Sequence, residues 1–327
     1  MTSPLPADGT AEPRPAGAAI DLGSTSVHLL VARPEPNGLV VLDEGSSFLG
    51  LGAAVDGPGS LGTAGLATLV ETVAGYVARA RSLGAAQPVL MGTEPLRRLS
   101  DAARIVAEVS AASGAPLVTL EHEEEALLTL IGLTGGRSVT GDIVLVDVGG
   151  GSTEMVEVGP GRRARAGGVR VGAGRLTGRL VDRDPPTGDD FAALGRAAAE
   201  AFDWTPDRPP AEVIFVGGTA TNLLKLLRRA TDPDRDDRLD RAALDVVRDI
   251  VATTPAATLA ATYLMREARI RLLAAGAAIV ETVLDRAGVD AGRVVDSGIR
   301  EGAILAADRA GDEWRDRLEE LAHGWIA

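Results

Sequence analysis

Ala19-Ile20-Asp21-Leu22-Gly23-Ser24-Thr25-Ser26 and Val144-Leu145-Val146-Asp147-Val148-Gly149-Gly150-Gly151-Ser152-Thr153-Glu154 are near-copies, about 126 positions apart. Each is an apolar strand ending in Asp, then a glycine turn with hydroxyls, then a second β-rich run, Val27 to Ala32 and Met155 to Val158. Glycine lets the backbone turn sharply and bring its N–H groups close to an anion. An Asp at the strand end can hold a cation that bridges to phosphate oxygens. One Asp-x-Gly turn alone reads as an ordinary hairpin. Two, each behind a buried-strand signature, point to a duplicated α/β fold with two lobes around one phosphate site.

The 327 residues suggest two domains, and the 45% hydrophobic content is ample for their cores. Aromatics are only 3%, so those cores are built from Ala, Val, Leu and Ile. Met1 to Gly17 is Pro/Ala/Gly-rich and lacks an apolar h-region, which reads as a disordered leader rather than a signal peptide. The apolar stretches are too short or too charged to cross a membrane, and cysteine is absent, which excludes thiolate chemistry. A cytoplasmic protein is the default. The net charge of −13 argues against nucleic-acid or anionic-membrane partners. A polyanionic substrate therefore needs a local basic groove or metal ions. Of the 33 basic residues only Lys225 is lysine, which GC-rich coding explains more simply than phosphate recognition. His28, His122 and His323 are scattered and form no metal-binding motif.

The first lobe reads β-β-β-α-β-α-β-α over residues 18–134. Strands fall at 18–32, at Gly38 to Ser47, at Pro88 to Met91 and at Leu117 to Leu120, and helices at 61–83, Ala102 to Ser113 and Glu123 to Leu133. Ile143 opens the second copy, assigned to 135–307. Strands are expected at Arg162 to Val171, Val213 to Val216 and Val294 to Asp296. Helices are expected at Leu176 to Val181, Phe191 to Ala201, Ala220 to Arg229, 240–252, 266–287 and from Ile299. Asp232 to Arg241 reads as a surface loop, and 308–327 as a helical tail.

Each chemistry-bearing motif has a plain structural alternative. Gly217-Gly218-Thr219 after a strand is often only a tight turn with a Thr cap. Glu123-Glu124-Glu125 opens a helix, where acidic residues favour the macrodipole; the functional alternative has one carboxylate facing the cleft to position a water. Arg97-Arg98 after Thr93-Glu94 reads as two exposed arginines, or as Arg97 clamping phosphate. Arg300 has the same ambiguity. No Gly-Lys-Ser/Thr occurs, so a Walker-type phosphate grip is excluded.

The chain resembles the exopolyphosphatase / guanosine pentaphosphate phosphohydrolase family of the actin–sugar kinase–Hsp70 superfamily over about residues 18–307. The matching segments run in family order: Ala19 to Ser26 with Leu29-Leu30, Gly92-Thr93 to Leu96-Arg97, Glu124-Glu125-Ala126, Asp147 to Glu154, Gly172 to Thr177, Gly217-Gly218-Thr219, Ala275-Gly276-Ala277, and Asp296 to Gly302. The resemblance implies two ribonuclease H-like, actin-like lobes with the active site in the cleft between them. It implies Glu125 as catalytic base, with Arg97 also implicated. It places phosphate on Gly23, Ser24 and Thr25, on Gly150, Gly151 and Ser152, and on Gly218 and Thr219. It implies a Mg²⁺ or Mn²⁺ ion at Asp147, with Asp21 and Glu154, and leaves room for a monovalent cation and a homodimer.

Two positions depart from the family pattern: Thr25 stands where Asn is usual, and Glu121-His122 where Ser-Gly is usual. The chain also ends where longer members add a helical region, so it looks like a short two-lobe form. The expected activity is release of terminal phosphate from inorganic polyphosphate. Guanosine pentaphosphate is the alternative substrate. A sugar or acid kinase and a non-catalytic sensor of guanosine tetraphosphate are the readings from other classes.

Overall fold

The computed structural model describes residues 14–36 and 38–325, so the expected leader lies outside the described residues except for 14–17. Among the described residues eleven strands form two sheets. The first holds β1 (Gly17–Leu22), β2 (Ser26–Glu35), β3 (Gly38–Phe48), β4 (Val89–Gly92) and β5 (Leu117–Thr119), in the order β3-β2-β1-β4-β5. The second holds β6 (Ile143–Val148), β7 (Thr153–Val158), β8 (Arg165–Val169), β9 (Glu212–Val216), β10 (Arg238–Asp240) and β11 (Ala291–Val294), in the order β10-β11-β9-β6-β7-β8. Leaving β10 aside, both sheets repeat one plan. A three-strand antiparallel meander is followed by two strands parallel to its first member. The near-copies β1–β2 and β6–β7 hold the same place in each sheet. Asp21 lies opposite His28, and Asp147 opposite Glu154.

The strands are apolar because helices or the opposite lobe cover them. One core lies between the first sheet and helices Gly62–Ser82 and Ala102–Ser113; another surrounds helix Leu273–Ala287 in the second lobe. A third core joins the lobes. In it the buried helices His122–Thr134 and Ile299–Ala310 pack together, beside Ala19 and Met91 of one sheet and Leu145, Val156 and Ile214 of the other. Their crossing is close. A Cβ on Gly132 would stand 2.2 Å from the Gly298 oxygen, and one on Gly302 would stand 1.8 Å from the Leu128 oxygen. This contact between the lobes sets the floor of the cleft.

Several elements differ from the sequence reading. Residues 266–287 do not form one helix; Glu267–Ile270 and Leu273–Ala287 are separate, and Ala256–Thr262 is a further helix. The 232–241 stretch contains the short edge strand β10, held by pairing with β11. Strand β11 ends at Val294, two residues before Asp296. The short Glu94–Arg98 helix was not legible. Beyond Ala310, Trp314, Leu318 and Leu321 pack into the core between the lobes.

Candidate active site

The two Asp-glycine turns face one another across the cleft. They line one cavity of about 350 Å³ with Asp21, Gly23, Ser24, Thr25, Glu125, Asp147, Gly150, Gly151, Ser152, Glu154 and Gly218. Gly23 N–H donates to Ser26 O (3.1 Å) and Gly149 N–H to Ser152 O (3.0 Å), so the turns close in the same way. A Cβ on Gly150 would lie 2.4 Å from Thr25 Oγ1, and one on Gly151 would lie 2.4 Å from Ser24 Oγ and 2.5 Å from Glu94 Oε2. The loops therefore meet with no room for a larger residue unless Thr25, Ser24 or Glu94 moves. Gly217 has φ +83°, and a Cβ there would stand 2.1 Å from Asp147 Oδ1. The backbone of the third glycine turn is thus pressed against that carboxylate.

Glu94, which the sequence reading passed over, ties the loops together. It is buried, accepts from Ser24 Oγ (3.1 Å), and meets Arg98 Nη1 (2.9 Å) and Arg175 Nη1 (3.4 Å). Its carboxylate joins the first loop to the helix Ala173–Leu180 of the other lobe.

The acidic run sorts by position on its helix. Glu121 caps the helix, and Glu124 Oε2 accepts from the Glu121 N–H (2.8 Å) while also pairing with Arg315. Glu123 faces outward. Only Glu125 is buried, 7% exposed, and it lines the cavity. The capping reading therefore fits Glu124 and the cleft-facing reading fits Glu125.

Arg97 differs from both sequence readings. It is neither exposed nor among the cavity-lining residues; its side chain is 8% exposed behind Glu125. Arg97 Nη1 donates to Glu125 Oε1 and to the Leu120 oxygen (2.6 Å), while Nη2 lies 3.8 Å from Glu154 Oε1. Buried Glu125 is its ion-pair partner. Thr219 is also displaced from its expected place: it is buried, with its methyl group against Gly276, while Gly217, Gly218, Thr221 and Asn222 line the cavity.

His122 enters the same cluster. Its Nδ1 lies 2.8 Å from Glu154 Oε1, within hydrogen-bond distance of the carboxylate. His122, Glu125 and Glu154 offer ligand atoms within 4.8 Å of one another, a grouping able to hold a metal ion. The Arg97 guanidinium already lies at this group, bonded to Glu125 and 3.2 Å from His122 Nδ1.

The carboxylates are held in unusual states. Burial pushes Asp21 up to about 7, against which Arg300 pulls downward. Burial, then Glu154 and Asp21, push Asp147 up to about 7. Burial and Glu154 hold Glu125 well above the usual carboxylate range, although Arg97 opposes them. Asp21 Oδ1 is buried with no hydrogen-bond partner. An orphaned carboxylate oxygen beside further carboxylates suits a hard divalent cation, whose ligands are oxygens.

Two arginines face the cavity without an ion pair among the described residues. Arg300 Nη1 reaches the Leu29 oxygen (3.4 Å), and Arg269 Nη2 reaches Ser26 Oγ (3.2 Å). Arg269 was missed in the sequence, because 243 positions separate it from Ser26. Burial, then Arg300, Arg269 and Arg266, depress His28 to about 3, so its imidazole is neutral.

Two lobes of this plan, with facing glycine turns over buried carboxylates, define a phosphate-handling enzyme of the actin-like class. The chain belongs to the Ppx/GppA phosphatase family, whose model matches residues 30–308. It is therefore a phosphatase acting on phosphoanhydride bonds. It is 27% identical to Exopolyphosphatase 2 of Mycobacterium tuberculosis over 88% of this chain and 97% of that protein. It is 29% identical to the guanosine-5'-triphosphate,3'-diphosphate pyrophosphatase of Vibrio cholerae over 46% of this chain, spanning 30% of that protein. A solved exopolyphosphatase from Cytophaga hutchinsonii superposes with a TM-score of 0.79 at 18% identity, covering 90% of this chain and 98% of that one. Among the described residues no helix is long and apolar enough to cross a membrane.

Proposed function

We propose that the protein is an exopolyphosphatase that removes terminal orthophosphate from inorganic polyphosphate by water attack in the interlobe cleft. The observation that carries this reading is Glu125: a buried carboxyl of raised pKa, aimed into a cavity walled by two facing glycine turns. A general base works best with a pKa near the operating pH. Glu125 takes the proton from water as the water oxygen attacks the terminal phosphorus. The bridging oxygen leaves with the shortened chain. Arg97 acts through Glu125, fixing its carboxylate and favouring its ionised form against burial and Glu154. Backbone N–H groups of the two turns, with Arg269 and Arg300, receive the phosphate oxygens and stabilise the charge that shifts to the leaving group.

Asp21, Asp147 and Glu154 line the same cavity and offer only oxygens, the donor type that suits Mg²⁺ or Mn²⁺. An ion held by them would neutralise non-bridging phosphate oxygens. We prefer this set to the His122–Glu125–Glu154 grouping, where Arg97 already supplies a positive charge. His122 then holds Glu154 in place as an outer partner.

The end-to-end match to a protein named as an exopolyphosphatase favours polyphosphate, and guanosine pentaphosphate is the second reading. The test is phosphate release from tripolyphosphate, long polyphosphate and guanosine pentaphosphate, with Mg²⁺ and with chelator. Preferred turnover of long polyphosphate supports the proposal; turnover of guanosine pentaphosphate alone replaces it with the second reading.

A further inference from the structure

A second groove opens beside the catalytic cavity along the helix Gly217–Ala230. It encloses about 650 Å³ and shares Thr221, Asn222 and Asp296 with the catalytic cavity, so the two adjoin. Gly218, Asn222, Lys225 and Arg229 are spaced four, three and four apart and fall on one stripe of the helix. The stripe starts at the glycine turn and reaches Lys225 about 10 Å further on, at 1.5 Å per residue.

The charges along the groove are not all cancelled. Arg228 pairs with Asp237, and Arg293 pairs with Glu212 (2.6 Å). Arg229 instead donates to two carbonyl oxygens, those of Tyr263 and Leu264, which leaves its charge standing. Lys225 is exposed and forms no ion pair among the described residues. Asp296 at the junction offsets one of these two charges and leaves one in excess. Every basic partner in the ion pairs among the described residues is an arginine, apart from His122. The chain's one lysine stands outside that framework, as a flexible and hydrated point charge.

We propose that this groove is a distal phosphate subsite, in which Lys225 and Arg229 receive phosphates of the substrate beyond those held in the catalytic cleft. The assignment rests on the phosphoanhydride reading of the cleft. The ligand chemistry is a phosphate chain several units from the scissile bond. It comes either from long polyphosphate or from the 3'-diphosphate of guanosine pentaphosphate. Tripolyphosphate, seated with its terminal phosphate between the loops, has only two further phosphates, and Arg269 and Arg300 are placed to take them.

The experiment compares wild type, Lys225→Glu and Lys225→Arg on tripolyphosphate, long polyphosphate and guanosine pentaphosphate. Calorimetric binding of long polyphosphate runs alongside. Reversing a charge in contact with phosphate should cut the kcat/KM ratio of long polyphosphate to tripolyphosphate by roughly tenfold, through KM, and Lys225→Arg should restore most of it. A selective loss on guanosine pentaphosphate instead supports the same subsite, with the nucleotide as its source. Equal loss on all three substrates, or none on any, overturns the proposal. If wild type hydrolyses none of the three, the cleft reading fails and the groove is judged by binding. A long-polyphosphate Kd weakened about tenfold by Lys225→Glu supports the subsite, and an equal Kd overturns it.

Discussion

Asp147→Asn separates the electrostatic account of the cleft from a purely structural one. The Asp147 carboxyl is raised from 3.8 to about 7 by burial and by Glu154 and Asp21. In the unfolded chain it ionises near its ordinary value. Between those two values the folded protein holds a proton that the unfolded chain releases, so stability falls as pH rises through that window. Each pKa unit is worth about 1.36 kcal/mol. The metal-free wild type should lose about 2–3 kcal/mol between pH 5 and pH 8 through this group, as an upper value for a site that cannot relax. Asparagine keeps the shape and carries no proton to lose. In chelator, the melting temperature of Asp147→Asn relative to wild type should therefore rise from pH 5 to pH 8, by several degrees. Adding Mg²⁺ should stabilise the wild type at pH 8 and stabilise the variant much less. The assay is thermal unfolding at both pH values, with chelator and with Mg²⁺. A variant destabilised equally at both pH values, with the same Mg²⁺ response as wild type, would refute the reasoning and leave Asp147 as a turn residue.

Glu125→Gln should lower kcat by roughly 10²–10⁴ with KM little changed; near-wild-type turnover would remove Glu125 from the chemistry. Arg97→Ala strips the partner from a buried carboxylate and should destabilise the protein by about 3–5 kcal/mol, read by denaturant unfolding, as well as slow turnover. A loss of activity without a loss of stability would mean that Arg97 contacts substrate directly. Arg269→Ala should raise KM about tenfold or more with little effect on stability, because Arg269 has no ion-pair partner among the described residues to leave behind. An unchanged KM would place phosphate elsewhere in the cleft.

The duplicated core of the fold was legible because its signals are local. Asp21 and Asp147 each end an apolar strand and precede glycine turns, and that pattern alone locates both walls of the cleft. The sheets repeat it with the same strand order. What the sequence could not display is who partners whom across the chain. Arg97 looks like a free cation in its own segment, yet it is committed to Glu125, 28 positions away. Glu94 carries no sign of a role in its own segment, yet it bridges Ser24 to Arg175 of the other lobe. His122 reads as a substitution before an acidic helix, but its ring packs at Gly168 and reaches Glu154. The first turn of the Glu125 helix looks exposed by its charge, but that helix lies between two sheets and only one acid turns inward. The break at Arg271-Leu272 falls within an Ala/Leu/Arg-rich run of continuous helical propensity, so tertiary packing overrides propensity there.

The most direct test of the central claim is orthophosphate release from end-labelled long polyphosphate by wild type and Glu125→Gln, in Mg²⁺ and in chelator. Fast Mg²⁺-dependent release from the chain end by wild type is expected, with the variant at least about a hundredfold slower while still binding the polymer. Equal release by both proteins, or release that ignores Mg²⁺, would contradict it.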